Sequence, residues 1–381
     1  MNYIKNSVSN LSYLFQFLFF VFLGSIMLYS CASDSSASYT PALSGAMGKT
    51  SEIVVIADEN VWEGTAGDTF RYYFESAYLI LPQPEPVFDL RHMTPEKLYN
   101  DPIYRELRTY VIIGNLSDEQ SPVSKMIKKD IGEEKLQRAK ENPNFHTVIG
   151  NNKWARGQLL AFIFGDSQDQ LAENIKKSYP MIAKRVHDFD QPQIGKMVYI
   201  KGRNFGIEKV IKEKFDAEMK IPQEYFVAVD EPNTMWLRKE TGELSSNIFI
   251  HQVPYTSQDQ FTKEGIKAIR DKLGKKHVTT EIKGAYMRTN DEYLPIFLNT
   301  MDLNGNYAVE ARGIWDLVND FMGGPFMSYL IHNKDSNQLL YVEGFVHAPS
   351  TTKRKFMEQI EHLLRQTKFG DPTDAEAVTE E

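Results

Sequence analysis

Three acidic side chains in the C-terminal part of the chain are of the type needed for general acid–base catalysis. Glu310 and Asp316 flank Arg312 on one face of a strand predicted over residues 307–317, and Glu343 lies on another predicted strand. Paired carboxyl groups cleave glycosidic bonds when a desolvated cleft separates their pKa values. A hydrolase that uses these acids is one interpretation, and for Glu310, Arg312 and Asp316 a solvated set of cross-strand charges is the other.

The hairpin that contains Glu343 has one face on which aromatic and polar residues mix. If the turn is centred on residues 335–336, Ser328 lies opposite Glu343. The face consists of Phe326, Ser328, Tyr341, Glu343 and Phe345. It suits a shallow binding surface for a ligand or a partner. The alternative is burial beneath a neighbouring element, with Ser328 hydrogen-bonded to Glu343.

Two glycines and a proline, Gly323, Gly324 and Pro325, lead into this hairpin. Glycine permits a positive φ, and proline removes one backbone donor from the following strand. The three residues therefore predict a structural hinge, formed as a sharp bend or a bulge beside the binding face.

The sequence contains no nucleophile elbow, phosphate-binding loop or His-Glu-x-x-His motif. Its eight histidines include no pair spaced i, i+4, and Cys31 is its only cysteine. Metal sites made of closely spaced ligands need such pairs. We therefore predict no metal site and no cofactor.

Composition narrows the classes of partner. The 381 residues include 43 Lys and Arg against 51 Asp and Glu, with 42% hydrophobic and 25% charged residues. Nucleic-acid binding proteins carry clustered basic residues and a high isoelectric point, so nucleic acid is an unfavoured partner. The remaining composition is that of an ordinary globular protein.

The N-terminal residues predict where the protein is located in the cell. Residues 11–28 form an uncharged apolar run, and Cys31 follows it directly behind Ser30, with Leu28 three positions before the cysteine. This arrangement resembles a bacterial lipoprotein signal, in which cleavage precedes a lipidated cysteine. We expect a signal peptide over 1–30, palmitate on Cys31 and a flexible tether over 31–50. A transmembrane anchor is the alternative, because the run is long enough to span a bilayer.

The body predicts an α+β fold. Three segments repeat a pattern of strand, short turn, hydroxyl cap and helix, with the caps at Ser167, Ser257 and Thr352. Asn-Gly at 304–305 and other tight turns predict antiparallel sheets with helices packed on one face. We expect two α/β subdomains, over 51–190 and 196–370, with the boundary at 190–195. An acidic tail over 371–381 is predicted to be disordered.

Three stretches carry a resemblance to a known family. They are Glu-Pro-Asn-Thr-Met-Trp-Leu-Arg at 231–238, Asn-Asp-Phe-Met-Gly-Gly-Pro-Phe at 319–326 and Tyr-Val-Glu-Gly-Phe-Val-His-Ala-Pro at 341–349. Together with the N-terminal lipidation signal, these stretches resemble those of an uncharacterised lipoprotein family of Bacteroidota, which is classed as a domain of unknown function. The resemblance implies a location and a domain extent, but no reaction.

Together these features predict a lipid-anchored envelope lipoprotein on the outer membrane, facing the periplasm. Its expected role is that of a non-catalytic binding or assembly module for an envelope protein or polymer. The alternative is an envelope hydrolase that uses Glu310, Asp316 or Glu343.

Overall fold

The computed structural model describes residues 43–142, 144–242 and 244–369. The predicted signal peptide, Cys31 and the acidic tail lie outside these residues. Backbone hydrogen bonds join Ala46 to Arg156 and Met47 to Glu106, so the folded body includes the last residues of the predicted tether.

The N-terminal half is built on a five-stranded mixed sheet in the order β2-β1-β3-β5-β4. Its strands are β1 (Glu52–Ile56), β2 (Asp89–Met93), β3 (Thr109–Asn115), β4 (Thr147–Asn151) and β5 (Leu159–Gly165). The strands pair in parallel except for β4. The central strands β1, β3 and β5 are continuous apolar runs, as expected for parallel strands that are buried on both faces.

Helices accompany this sheet and cover both of its faces. They are α1 (Glu59–Trp62), α2 (Thr65–Phe74), α3 (Pro95–Asn100), α4 (Pro122–Glu141) and α5 (Gln168–Val198). Buried residues of α2 and α5 pack on one face, and those of α3 and α4 pack on the other. Ser167 caps α5, as predicted, by accepting from the backbone N–H of Gln170.

The predicted domain boundary at 190–195 lies inside α5, which runs through these residues without interruption. Pro192 lies inside the helix, whose apolar stripe extends to Ile194 and Val198. Burial of that stripe outweighs the loss of one backbone hydrogen bond at the proline.

The C-terminal half contains an eight-stranded antiparallel sheet. Its strands are β7 (Phe226–Glu231), β8 (Thr234–Thr241), β9 (Leu244–Pro254), β10 (Tyr286–Thr289), β11 (Phe297–Leu303), β12 (Asn306–Val318), β13 (Gly323–Asn333) and β14 (Gln338–His347). Two short strands, β6 (Ala217–Glu218) and β15 (Lys368–Phe369), form a separate pair. The order β10-β12-β13-β14-β9-β8-β7, with β11 also on β12, places the predicted hairpin in the middle of the sheet.

Helices cover both faces of this sheet, not one as predicted. Helices α6 (Phe205–Phe215) and α8 (Arg354–Leu364) pack on one face. Helix α7 (Lys263–His277) packs on the other. The sheet needs both layers because its central strands carry apolar residues on both sides. The α+β class and the antiparallel C-terminal sheet are confirmed.

The three repeated units share the order of strand and helix but differ in their caps. Ser257 begins a 3-10 turn (Gln258–Phe261), and Thr262 then caps α7. Lys353 precedes α8 without a side-chain cap, so Thr352 does not have the predicted role. Among the helices of the described ranges, none is both long and apolar enough to cross a membrane.

Candidate functional site

The predicted binding face exists, but it is not an open surface. Ser328 pairs with Glu343 and Phe326 with Phe345, which confirms the register expected from the turn. Phe326, Ser328, Tyr341 and Glu343 are 0% exposed and Phe345 is 2% exposed. The expectation of an accessible face is therefore wrong for these five residues.

Helix α7 causes this burial by laying Arg270 across the hairpin. Arg270 Nη2 lies 2.9 Å from Glu343 Oε1, and the guanidinium lies 3.9 Å from the centre of the Phe326 ring. Arg270 Nη1 also donates to Thr289 Oγ1 at 3.0 Å, and the Tyr341 hydroxyl donates to Glu343 Oε2 at 2.7 Å. Glu343 is thus held by Arg270 and Tyr341.

The environment of Glu343 is that of a structural ion pair. Burial raises the pKa of Glu343, and the nearby positive charge of Arg270 opposes this shift. Burial and the charge of Glu343 together raise the pKa of the Tyr341 hydroxyl. Because the carboxyl group is fully enclosed, no substrate can reach it to exchange a proton.

The other two acids are also held by arginines. Glu310 Oε1 accepts from Arg312 Nε at 2.7 Å, and its Oε2 accepts from the Tyr329 hydroxyl at 2.8 Å. Burial raises the pKa of Glu310, but the hydrogen bonds and charge of Arg312 outweigh it and hold that pKa below its ordinary value. Asp316 binds Arg288 at 2.9 Å. With its lowered pKa, Glu310 stays ionised at neutral pH and cannot act as a general acid.

The two glycines at the start of β13 do not form the predicted bend. Neither Gly323 nor Gly324 has a positive φ, and both lie in a regular pairing with β12. A Cβ atom on Gly324 would lie 1.9 Å from the carbonyl oxygen of Val346, and one on Gly323 would lie 2.8 Å from that of Trp315. Close approach of neighbouring backbones, rather than a hinge, explains these glycines.

The same face of the sheet becomes accessible beyond the N-terminal end of α7. Here a cleft of about 740 Å³ is lined by four aromatic rings, which we call the aromatic cleft. The rings are those of Tyr255, Phe261, Tyr307 and His332. The rings of Tyr255 and His332 are 4.6 Å apart, and those of Phe261 and Tyr307 are 5.0 Å apart. Tyr307 remains 43% exposed.

Polar side chains line the rest of the aromatic cleft. They are Gln258, Asp259, Thr262 and Lys334. The 3-10 turn that begins at Ser257 is held by a capping box with Gln260, and it positions Gln258, Asp259 and Phe261. Lys334 comes from the turn between β13 and β14. The aromatic rings and the hydrogen-bonding side chains therefore line the same cleft, which is built from the sheet and the capped 3-10 turn.

The sequence contained part of the signal for this cleft. Strand alternation places Tyr307 with Val309, and His332 with Leu330, and the two strands pair with Val309 opposite Leu330. The register of β12 against β13 does not follow from the sequence pattern alone. The sequence therefore did not predict that Tyr307 and His332 line the same cleft. Tyr255 and Phe261 flank the predicted cap Ser257, and only the folded loop shows that they contact the sheet.

Within the described ranges, no group of three or more His, Cys, Asp or Glu side chains is placed to hold a metal ion.

Comparison with known proteins identifies two domains. Residues 46–199 match a domain of unknown function (DUF8532), and residues 204–366 match a domain of unknown function (DUF4837). No curated protein matches the chain.

Some solved structures resemble part of the chain. A point mutant of the protein Mog1 is 10% identical, with a TM-score of 0.28, and the match covers 42% of this chain and 93% of that one. The Ran-binding protein Mog1p of Saccharomyces cerevisiae is 9% identical, with a TM-score of 0.28 and coverage of 42% and 92%. Human StAR-related lipid transfer protein 5 is 8% identical, with a TM-score of 0.21 and coverage of 46% and 96%. Similarity at this level supports no functional conclusion. The two domain matches, in contrast, cover residues 46–366, nearly the whole chain, with a domain of unknown function, DUF8532, followed by a second one, DUF4837.

Proposed function

We propose that this protein is a non-catalytic, lipid-anchored binding module of the cell envelope, and that its aromatic cleft binds a glycan polymer. The observation that carries the proposal is the presence of four rings and four polar side chains around one open cleft. Its volume of about 740 Å³ lies within the range of small-molecule sites, which are lined by apolar and aromatic side chains with a few polar groups.

The chemistry of the cleft suits a sugar ring. One face of a pyranose is apolar and packs on an aromatic ring, while its hydroxyl groups need hydrogen-bond partners at the edges. The exposed ring of Tyr307 offers such a platform. Gln258, Asp259 and Lys334 supply both donors and acceptors. The opposite charges of Asp259 and Lys334 leave the cleft without a strong preference for an anion or a cation.

Catalysis is the weaker interpretation because the candidate acids are committed elsewhere. Glu343 is enclosed with Arg270, and Glu310 is bound by Arg312. Asp316 pairs with Arg288 at the far end of β12 from Tyr307. Retaining and inverting glycosidases instead place two carboxyl groups across an open substrate cleft.

The envelope location rests on the sequence around Cys31. The only cysteine follows an apolar run of 18 residues, 11–28, which supports lipidation there. Several acyl chains hold a protein on a membrane far more firmly than one chain does. We place the protein on the periplasmic leaflet of the outer membrane. Labelled palmitate should enter the wild type and not Cys31→Ser, and mature protein that begins at Met1 would contradict this placement.

A sedimentation assay tests the binding proposal. The full chain is incubated with insoluble envelope polysaccharide and with peptidoglycan sacculi, and bound protein is quantified in the pellet. Tyr307→Ala and Tyr255→Ala should reduce the bound fraction, because each removes a ring of the cleft. Tyr293→Ala is the matched control, since Tyr293 is 84% exposed and does not line the cleft. Equal sedimentation of all four proteins would reject the cleft as the binding site.

A further inference from the structure

A cavity of about 400 Å³ lies at the carboxyl ends of β3 and β5, in the N-terminal half of the protein. Leu116, which follows β3, donates its backbone N–H to the carbonyl oxygen of Gly165, the last residue of β5, at 2.7 Å. Both residues line the cavity. Sheets of parallel strands bind ligands outside the carboxyl ends of the strands, and this volume is at the small end of the range for small-molecule sites. The position therefore indicates a site for a small ligand.

The usual ligand position of such a sheet is taken by a protein side chain. The strand order reverses between β1 and β3, which is where ligands of open parallel sheets usually bind. Asp58 follows β1 at this point and accepts from the Ser121 hydroxyl and from the backbone N–H of Val123, at the start of α4. The cavity therefore lies one strand further along the sheet, between β3 and β5.

Apolar side chains form much of the cavity wall. Phe164 is 3% exposed and belongs to the core beneath the cavity. Helix α4 is bent at Gly132, where φ is 78°, and the part of α4 after this bend supplies Leu136. Phe145 also lines the cavity, next to His146, whose carbonyl oxygen accepts from the backbone N–H of Phe164 at 3.2 Å. An apolar group of a ligand would therefore pack between the sheet and the second part of α4.

One polar side chain of the cavity is buried and only partly hydrogen-bonded. Asn174 is 4% exposed and donates its Nδ2 to the carbonyl oxygen of Phe164 at 2.8 Å. No donor within the described part of the chain reaches Asn174 Oδ1. Buried polar groups normally have a hydrogen-bond partner. Asn174 Oδ1 is therefore available to accept from an N–H group of a ligand.

Charged side chains of both signs line the cavity without pairing. Lys128 and Lys140 come from α4, whereas Glu119 and Asp166 come from the loops that follow β3 and β5. None of the four forms an ion pair with a residue of the ranges that the structure describes. Lys128 is half-buried, and the other three are exposed. The cations and the acids therefore lie on different walls of the cavity, where a ligand with two opposite charges can meet both.

We propose that this cavity binds a free apolar amino acid. The carboxylate of the ligand binds Lys128, and its ammonium group donates to Asn174 Oδ1 and Asp166. Its side chain packs on Phe164 and Leu136. A zwitterion matches a lining of two lysines and two acids, whereas a simple anion or cation would meet two like charges. The inference does not depend on the proposed glycan binding, because the cavity and the aromatic cleft share no residue.

Calorimetric titration of the full chain with three related ligands tests the proposal. They are L-phenylalanine, phenylpropionate, which lacks the ammonium group, and phenethylamine, which lacks the carboxylate. L-Phenylalanine should bind about tenfold more tightly than either analogue, because each analogue loses one charge-assisted interaction. L-Leucine is titrated alongside as a second apolar amino acid.

Two variants assign the charges of the ligand to the walls of the cavity. Lys128→Met should weaken the binding of L-phenylalanine and of phenylpropionate about tenfold and leave that of phenethylamine unchanged. Asp166→Asn should instead weaken L-phenylalanine and phenethylamine and leave phenylpropionate unchanged. Lys129→Met is the matched control, since Lys129 is exposed on α4 and does not line the cavity. Tyr307→Ala, in the aromatic cleft, should have no effect.

Three results would overturn the proposal. The first is no heat of binding with either L-phenylalanine or L-leucine. The second is equal affinity for L-phenylalanine and its two analogues, or an equal loss for all three ligands in Lys128→Met, because the cavity would then not distinguish charges. The third is a loss of L-phenylalanine binding in Tyr307→Ala, which would assign the amino acid to the aromatic cleft.

Discussion

The side chains of Arg270 on α7 and Glu343 on β14 meet at 2.9 Å in the protein interior, where the two residues are 1% and 0% exposed. This ion pair fixes α7 to the centre of the sheet. On the same face, Tyr341 is fully buried whereas Tyr307 is 43% exposed. The aromatic cleft therefore lies where the N-terminal end of α7 no longer covers the sheet.

Neutralising one partner of this pair should be costly. Glu343→Gln leaves the buried Arg270 guanidinium with only the more distant carboxylate of Asp271, at 3.9 Å, as a counter-charge, and we expect a loss of about 3–5 kcal/mol in the free energy of unfolding. The paired change Arg270→Met with Glu343→Leu should lose less, because no buried charge remains. Urea unfolding midpoints measure both effects. A nearly unchanged midpoint for Glu343→Gln would mean that the face is open to solvent.

Close packing of backbones at the start of β13 gives a second prediction. Gly324→Val should destabilise the fold by more than the ~1 kcal/mol typical of point mutants, because its Cβ would overlap the Val346 carbonyl. Gly45→Ala is the control, since no atom lies within 4 Å of a Cβ there. Thermal unfolding of the two variants compares them directly. Equal melting temperatures would show that β13 and β14 can separate at this point without cost.

Local patterns predicted the hairpin correctly because its register depends on a short turn. The pairing of Ser328 with Glu343 follows from the turn at residues 335–336 and from strand alternation. Burial of the same residues does not follow, because α7 is some 60 residues away in sequence and its position depends on packing. Arg270 is an ordinary charged residue of an amphipathic helix in the sequence, and only the fold makes it a core residue.

The boundary between the two halves of the chain also depends on packing that local sequence does not show. Pro192 and Gly195 in the sequence favour a linker, yet α5 continues through both residues. His362 of α8 accounts for Gly195, since a Cβ there would lie 2.9 Å from His362 Nε2. The aromatic cleft was missed for a related reason, because it joins a loop to two strands that are distant in sequence.

Histidine titration gives a third prediction. Burial lowers the pKa of His362, and the charge of Lys220 lowers it further, while His362 Nδ1 contacts Gln191 Oε1 at 2.9 Å. Above its unfolded pKa of about 6.5 the neutral ring contributes its full stability. Below that pH the unfolded chain binds the proton more readily, so stability falls as pH decreases through the lower folded pKa.

We therefore expect His362→Gln to lose less stability than the wild type between pH 7 and pH 5. Urea midpoints of both proteins at the two pH values give this difference. Some pH dependence should remain, because burial also lowers the pKa of His251 and of His277. An identical decrease in both proteins would exclude His362 as a contributor.

The central claim is that the aromatic cleft binds a glycan through its exposed ring, and calorimetric titration of the full chain with soluble envelope oligosaccharide tests it most directly. Loss of one stacking platform should weaken binding by about 0.5–1.5 kcal/mol beyond the loss of contact area, so Tyr307→Ala should bind several-fold more weakly than the wild type. Tyr307→Phe should retain most of the affinity, and Tyr293→Ala should retain all of it. Equal affinity in the wild type and Tyr307→Ala, or no heat of binding in any of the proteins, would contradict the claim.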